Sequence, residues 1–154
     1  MKNIKYLVMD VDGTLTDGKL YIGNNGELFK AFNSKDGCGI HDIAEPKGII
    51  PVIITGRTSD IVKHRCKELE IEMLYQGIKD KTTLLKSVIS DVSKVAYIGD
   101  DINDLECMKY VKSEGGLIGC PANASREVIE IADFVCARNG GDGAVRDFIE
   151  WIIE

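Results

Sequence analysis

Carboxylates stand directly after short apolar runs in this chain. The first run leads into Met9-Asp10-Val11-Asp12-Gly13-Thr14-Leu15-Thr16-Asp17-Gly18, the second into Thr55-Gly56-Arg57, and the third into Gly99-Asp100-Asp101-Ile102-Asn103-Asp104. If the runs are strands of one open α/β sheet, these residues meet at its carboxyl edge, where such sheets carry their functional groups. Asp10, Asp12, Asp17, Asp100, Asp101 and Asp104 then share a rim, and they raise one another's pKa unless a cation neutralises them. A hard divalent ion with oxygen ligands answers this. Mg2+ fits because it takes one or two carboxylates and completes its shell with water and substrate oxygens. No His or Cys stands among the acids, which disfavours zinc. His41 and His64 are the only histidines and neither ends an apolar run, so a Ser-His-Asp hydrolase is not expected. The nucleophile is then a carboxylate or a metal-bound water.

Phosphoryl transfer is the chemistry that suits such a set. It requires a nucleophile, a metal for phosphate oxygens, a second acid for the leaving group, and a Lys or Thr to balance charge. Thr55 and Lys81 are the balancing groups available. Lys81 stands in Asp80-Lys81-Thr82-Thr83, the threshold of an expected helix whose dipole also favours an anion.

Positioning these residues takes a mainly parallel sheet, and the sequence has the alternation that builds one. Strand-type runs occur at Ile4 to Met9, Ile49 to Ile54, Val95 to Ile98, Gly116 to Ile118 and Phe134 to Cys136. Helical periodicity separates them: Ile61, Val62, Arg65, Cys66 and Leu69; then Leu84, Leu85, Val88, Ile89 and Val92; then Ile102, Leu105, Met108 and Val111. A last helix carries Val145, Phe148, Ile149 and Ile152 on one stripe. The expected class is therefore α/β, a doubly wound, mainly parallel sheet. Lys19 to Phe32 interrupts the pattern as a β-hairpin around Gly23-Asn24-Asn25-Gly26, and Asn33 to Lys47 reads as a loop leading into a short helix that Pro46 and Gly48 end.

Composition narrows the classes further. A length of 154 residues has room for one core and little for a second domain, so residues 1–154 are expected to form a single domain with its hairpin at 19–32. A net charge of −6 with no basic block argues against nucleic acid. No run of about 18 apolar residues and no leader-like N-terminus is present, so a cytoplasmic protein without a membrane partner is expected. Cys38, Cys66, Cys107, Cys120 and Cys136 form no C-x-x-C pair and most read as small buried hydrophobes, while His41, His64 and Trp151 read as surface or packing residues.

Asp10-Val11-Asp12-Gly13-Thr14, Thr55-Gly56, Lys81 and Gly99-Asp100-Asp101 with Asp104, in that order, resemble the four motifs of the haloacid dehalogenase-like phosphatase superfamily. Thr16-Asp17-Gly18, Phe32-Asn33, Asp36-Gly37, Arg57, Arg65, Gln76-Gly77 and Gly140-Gly141-Asp142-Gly143-Ala144-Val145-Arg146 extend the likeness to its capless sugar-acid phosphatases. Those enzymes hydrolyse 3-deoxy-manno-octulosonate 8-phosphate or nonulosonate 9-phosphates. The resemblance implies a Rossmann-like core without a cap domain, and a cytoplasmic homotetramer in which hairpins assemble and a neighbour covers each site. It makes Asp10 the nucleophile and Asp12 the general acid and base, with Mg2+ on Asp10, the Asp12 carbonyl and Asp100. Thr55 and Lys81 are catalytic by the same resemblance, Asp101 and Asp104 supporting. Thr16, Asn33, Asp36, Gly56, Arg57, Arg65 and Arg146 are the implied substrate contacts, and the loop from Gly140 with Arg146 is expected to enter a neighbouring site. Arg57 resembles the octulosonate enzymes, since a guanidinium suits a sugar carboxylate. Thr14 departs from the bulkier apolar residue usual there, and Glu45-Pro46-Lys47 interrupts a usually smoother helix.

Other readings stand beside this one. Asp101 and Asp104 can orient Lys81 or cap the helix that follows them. A receiver-like domain also gathers acids, Thr and Lys, although there the phosphorylated Asp ends a later strand. A phosphatase-like module kept only for oligomerisation is the third alternative, and a complete set of catalytic residues speaks against it.

Overall fold

The computed structural model describes residues 2–154. Six strands form its sheet: β1 Tyr6–Met9, β4 Ile50–Ile54, β5 Met73–Tyr75, β6 Val95–Ile98, β7 Leu117–Cys120 and β8 Phe134–Val135. Their order is β5-β4-β1-β6-β7-β8 and every neighbouring pair is parallel. Because β1 lies between β4 and β6, the winding reverses beside it, and a crevice opens at its carboxyl end. The central strands β1, β4, β6 and β7 are buried on both faces, so alternate residues feed two cores. Leu7, Met9, Ile53 and Ile98 pack with Ile40, Val62, Val145 and Phe148 on one side, and Val8, Val52, Ile54 and Tyr97 pack with Leu85, Met108 and Val128 on the other.

The helices on the first side are α1 Ser34–Cys38, α2 Asp60–Glu68 and α6 Ala144–Ile153; on the second they are α3 Lys81–Val88, α4 Ile102–Ser113 and α5 Arg126–Ile131. Strands β2 Tyr21–Gly23 and β3 Gly26–Phe29 form the expected antiparallel hairpin, separate from the main sheet. Trp151 stacks on Phe134 at 4.9 Å between ring centroids, which makes it a packing residue of the first core.

Several expectations need correction. Residues 33–47 are not a loop with a short helix: α1 runs into a π turn at Gly39–Ala44 and a 3-10 turn at Glu45–Lys47, and Gly48 ends the segment at φ 79°. Gly37 and Gly39 lower its helix propensity, yet Arg65 and Arg146 lie across them and hold the segment by tertiary contact. The second expected helix stops at Val88, because Ile89 turns extended at φ −126°, ψ 120° while its side chain and that of Val92 stay in the same core. Apolar spacing alone does not distinguish these cases. Ile102 is 63% exposed at the cleft, not on the buried face of α4, where Asp104 and Cys107 stand instead. Strand β5 and helix α5, too short to give a periodic signal, complete the sheet edge and the second layer.

Asp36 ties two of these elements together. Its buried carboxylate accepts the Arg146 backbone N–H at 2.9 Å, at the first turn of α6. Burial pushes its pKa up to about 6, against the backbone N–H bonds from Arg146 and Gly143, and the charges of Asp147 and Asp142 add to the rise. The folded state therefore binds a proton that the unfolded chain releases near 3.8, so the contribution of Asp36 to stability is present below about pH 4 and is lost as pH rises through about 6. Asp36→Asn keeps an acceptor oxygen and cannot ionise. Relative to wild type it is expected to gain up to about 3 kcal/mol between pH 4 and pH 7, read by urea denaturation across pH; a pH-independent difference would contradict this.

Candidate active site

Three strands deliver their first residues beyond the sheet to one place: Asp10 after β1, Thr55 after β4, and Asp100 one residue beyond the Gly99 that follows β6. Lys81, the first residue of α3, enters from the helix layer with its side chain almost fully buried. Its ammonium lies 3.1 Å from Asp10 Oδ1 and 2.9 Å from Asp104 Oδ1. Asp80 caps α3 by accepting the Thr83 N–H, which fixes where the helix starts and so where Lys81 projects.

Asp104 is occupied by protein donors. Lys81 Nζ and Tyr97 Oη at 2.7 Å donate to Oδ1, and the Asp100 N–H at 3.1 Å and Asp101 N–H at 3.5 Å donate to Oδ2. It is thus at once the N3 member of the capping box of α4 and the anchor of Lys81, so the two readings left open for it are both fulfilled. Asp101 is the N-cap of that helix and also lines the cleft. Asp10 Oδ1 accepts the Val11 N–H at 2.8 Å, and Asp100 Oδ1 accepts the Thr14 hydroxyl at 3.1 Å. Thr14, the departure from the family pattern, therefore serves to hold Asp100.

The charges are strongly coupled. Burial, then the nearby charges of Asp104 and Asp100, push Asp10 well above the usual carboxylate range, although Lys81 pulls the other way. Burial and Asp104 raise Asp100 to about 6. Burial opposes the charge of Lys81, but Asp10 and Asp104 outweigh it and hold its pKa above the ordinary lysine value. One oxygen each of Asp10, Asp100 and Asp104 lies within 4.8 Å of the others. With all three carboxylates ionised, one ammonium leaves two negative charges, which a divalent cation matches. With Asp104 saturated, Asp10 and Asp100 are the carboxylates able to ligate it, and an all-oxygen donor set fits Mg2+.

The cleft above these groups measures about 380 Å³ and is lined by Asp10, Asp12, Thr55, Gly56, Arg57 and Asp100, with Leu20 from the hairpin stem at its edge. Sequence reading missed the network on its wall. Lys30, just past β3, donates to Asp12 Oδ1 at 2.6 Å and pairs with Glu27 at 3.0 Å; Glu27 in turn accepts the Ser59 hydroxyl at 2.7 Å and faces Arg57 at 3.6 Å. The available signal was a Glu27/Lys30 pair at the hairpin, whose facing residue is known only once the hairpin folds back on the first loop.

Other expected substrate contacts do not line the cleft of their own chain. Thr16 Oγ1 accepts the N–H groups of Gly13 and Gly18 and so shapes the first loop. Asn33 caps α1, and Asp36 is committed to α6. Arg65 lies over the Phe32 ring at 5.6 Å, and Arg146 pairs with Glu150 at 2.6 Å. The loop from Gly140 to Gly143 packs on residues 13–17 of the same chain, with the Gly141 N–H on the Thr14 carbonyl at 3.2 Å. It backs its own catalytic loop. A side chain at Gly140 would occupy the position of the Gly13 carbonyl, and this close approach explains the glycine.

Known proteins share this arrangement. A haloacid dehalogenase-like hydrolase family model matches residues 79–149. The 3-deoxy-D-manno-octulosonate 8-phosphate phosphatase of Escherichia coli K12 is 42% identical over 99% of this chain and 80% of its own length, and that of Yersinia pestis is 40% identical. Among solved structures, the enzyme of the same description from Moraxella catarrhalis, in complex with magnesium, phosphate and KDO, superposes with a TM-score of 0.91 at 38% identity, covering 99% of this chain and 87% of that one. The cobalt-bound phosphatase from Haemophilus influenzae gives a TM-score of 0.89 at 35% identity, covering 99% and 88%.

Removing the one cation buried among the three carboxylates is the sharpest test of the electrostatics. Lys81→Met is expected to lower stability in metal-free buffer by about 3–5 kcal/mol, since it strands Asp10 and Asp104. Added Mg2+ is expected to restore part of that loss, measured by denaturant unfolding with and without the ion.

Proposed function

Since the chain belongs to the haloacid dehalogenase-like phosphatases, in the family of the 3-deoxy-D-manno-octulosonate 8-phosphate phosphatases, we propose that it is a Mg2+-dependent phosphomonoesterase acting on that eight-carbon sugar acid phosphate through an aspartyl phosphate. The observation that carries this reading is the placement of Asp10 beside a buried Lys81 and Asp100 at the floor of the cleft.

Asp10 attacks phosphorus as a carboxylate, and the bond between phosphorus and the sugar oxygen breaks. Lys81 and the Val11 N–H favour the ionised form that this requires. Asp12, on the cleft wall, gives a proton to the departing sugar oxygen. It then takes one from the water that opens the aspartyl phosphate, releasing inorganic phosphate and regenerating Asp10. Thr55 and the backbone of Gly56 border the space that would take the phosphate oxygens, and Arg57, which also lines the cleft, would meet the sugar carboxylate. Asp100, Asp10 and the Asp12 carbonyl are the groups that would hold Mg2+, whose charge offsets that of the phosphate and of the acids themselves. Asp104 and Asp101 support by orienting Lys81 and starting α4.

We read residues 1–154 as one phosphatase domain without a cap, so closure over the sugar falls to the hairpin. Leu20, Ile22, Leu28 and Phe29 on it are each more than half exposed, apolar side chains suited to contact with other copies of the same hairpin. A homotetramer assembled through these hairpins accounts for their exposure and is the oligomer proposed.

Phosphate release from octulosonate 8-phosphate is expected to require Mg2+, to stop on EDTA treatment, and to fall by about 10³-fold or more in Asp10→Asn. A nonulosonate 9-phosphate assayed in parallel is expected to give the lower kcat/KM; the reverse order would move the assignment to the nine-carbon substrate, and no turnover of either would remove it.

A further inference from the structure

The hairpin brings to the cleft a charged group that the steps above do not use. Lys30 has a side chain only 3% exposed, and its ammonium bridges Asp12 Oδ1 at 2.6 Å and Glu27 Oε2 at 3.0 Å. Among the described residues it is the one hydrogen-bond donor on the Asp12 carboxylate. An ammonium that lost these partners while still buried would be an uncompensated charge, a state that is strongly disfavoured, so the pair is held wherever the hairpin is docked. Docking in turn depends on Glu27, whose carboxylate reaches Ser59 and Arg57 on the loop after β4. Burial alone would raise Glu27, but the hydrogen bonds from Ser59 and Lys30 and the charges of Lys30 and Arg57 bring it below the usual range, so it is an anion able to anchor both cations.

We propose that Lys30 is a positioning residue: it fixes the Asp12 carboxylate on the leaving-group side of the cleft, and it makes that placement conditional on the hairpin being seated. The inference rests on the role given to Asp12 above. A short Asp side chain with no other donor is otherwise free to rotate about χ1, and an acid that is misplaced by about 1 Å loses much of its effect. The hairpin then completes the proton-transfer apparatus as well as covering the sugar, and the strand that carries the exposed Leu28 and Phe29 leads directly into the group that holds Asp12.

The test separates positioning from general structural damage. The value of kcat/KM for a series of substituted phenyl phosphates reports the step in which Asp10 is phosphorylated, and its dependence on leaving-group basicity measures how well the acid is delivered. Lys30→Met is expected to steepen that dependence as Asp12→Asn does, with a loss of about 100-fold for the poorest leaving group and less than about threefold for the best. Lys30→Arg is expected to keep the wild-type slope. Glu27→Gln, which loosens the anchor without touching Asp12, is expected to steepen it to a smaller degree, and it serves as the probe if Lys30→Met does not fold. A loss by the same factor for every leaving group, or no loss, in Lys30→Met beside a steepened Asp12→Asn would overturn the role of Lys30 alone. An unchanged slope in Asp12→Asn would instead overturn the acid role of Asp12, and the inference with it.

Discussion

The ammonium of Lys81, buried between Asp10 and Asp104, is the interaction on which the rest of the site depends. Three carboxylates gathered in a largely desolvated crevice resist ionisation, and a protonated Asp10 is no nucleophile. Lys81 offsets part of that repulsion and leaves an excess suited to a divalent ion. It can do so only because α3 begins where it does, capped by Asp80, and because Asp104 is itself pinned by Tyr97 and by the backbone entering α4. Burial and the adjacent Asp104 push the Tyr97 phenol well above its ordinary pKa, which makes it a neutral donor to that carboxylate. The second core of the fold, to which Tyr97 belongs, is thereby connected to the nucleophile through two side chains.

The first core supports the site from behind. Gly13, at φ 89°, turns the loop after β1 so tightly that a side chain there would meet the Asp100 carboxylate, and the Gly140–Gly143 loop closes on the far side of the same turn. That second loop is held by the start of α6, where Asp36 accepts backbone N–H groups, and α6 is held by Phe148 and Val145 in the core. Precision at Asp10 and Asp12 thus rests on backbone packing against backbone, which tolerates little displacement.

This division explains what the sequence disclosed. Asp10, Thr55 and Asp100 follow strands whose hydrophobic pattern is plain, so their meeting at one edge follows from topology alone, and Lys81 opens a helix marked by its own apolar periodicity. Lys30 is different: its contact with Asp12 depends on how a hairpin folds across a loop, which no periodicity encodes. Asp36 and Arg65 stand in family motifs, and their contacts with a helix N-terminus and an aromatic face likewise follow from how distant segments pack. The helical stretch from Ser34 to Lys47 was obscured by its glycines, since tertiary contact with Arg65 and Arg146 overrides a weak local preference.

The hairpin also answers a difficulty raised by an open cleft. Sugar selection and water exclusion need a wall, and a two-stranded ribbon is too small to be stable alone. It is fastened by Lys30, Glu27 and Tyr21, the last through a hydrogen bond to Asp17 at 3.1 Å. Leu20, Ile22, Leu28 and Phe29 stay exposed to solvent, an exposure that destabilises an isolated chain. Covering these side chains in the proposed assembly would stiffen the ribbon, and a stiffer ribbon holds Lys30 on Asp12. Assembly and proton transfer would then be coupled through a single buried ammonium, with no need for a cap domain to move.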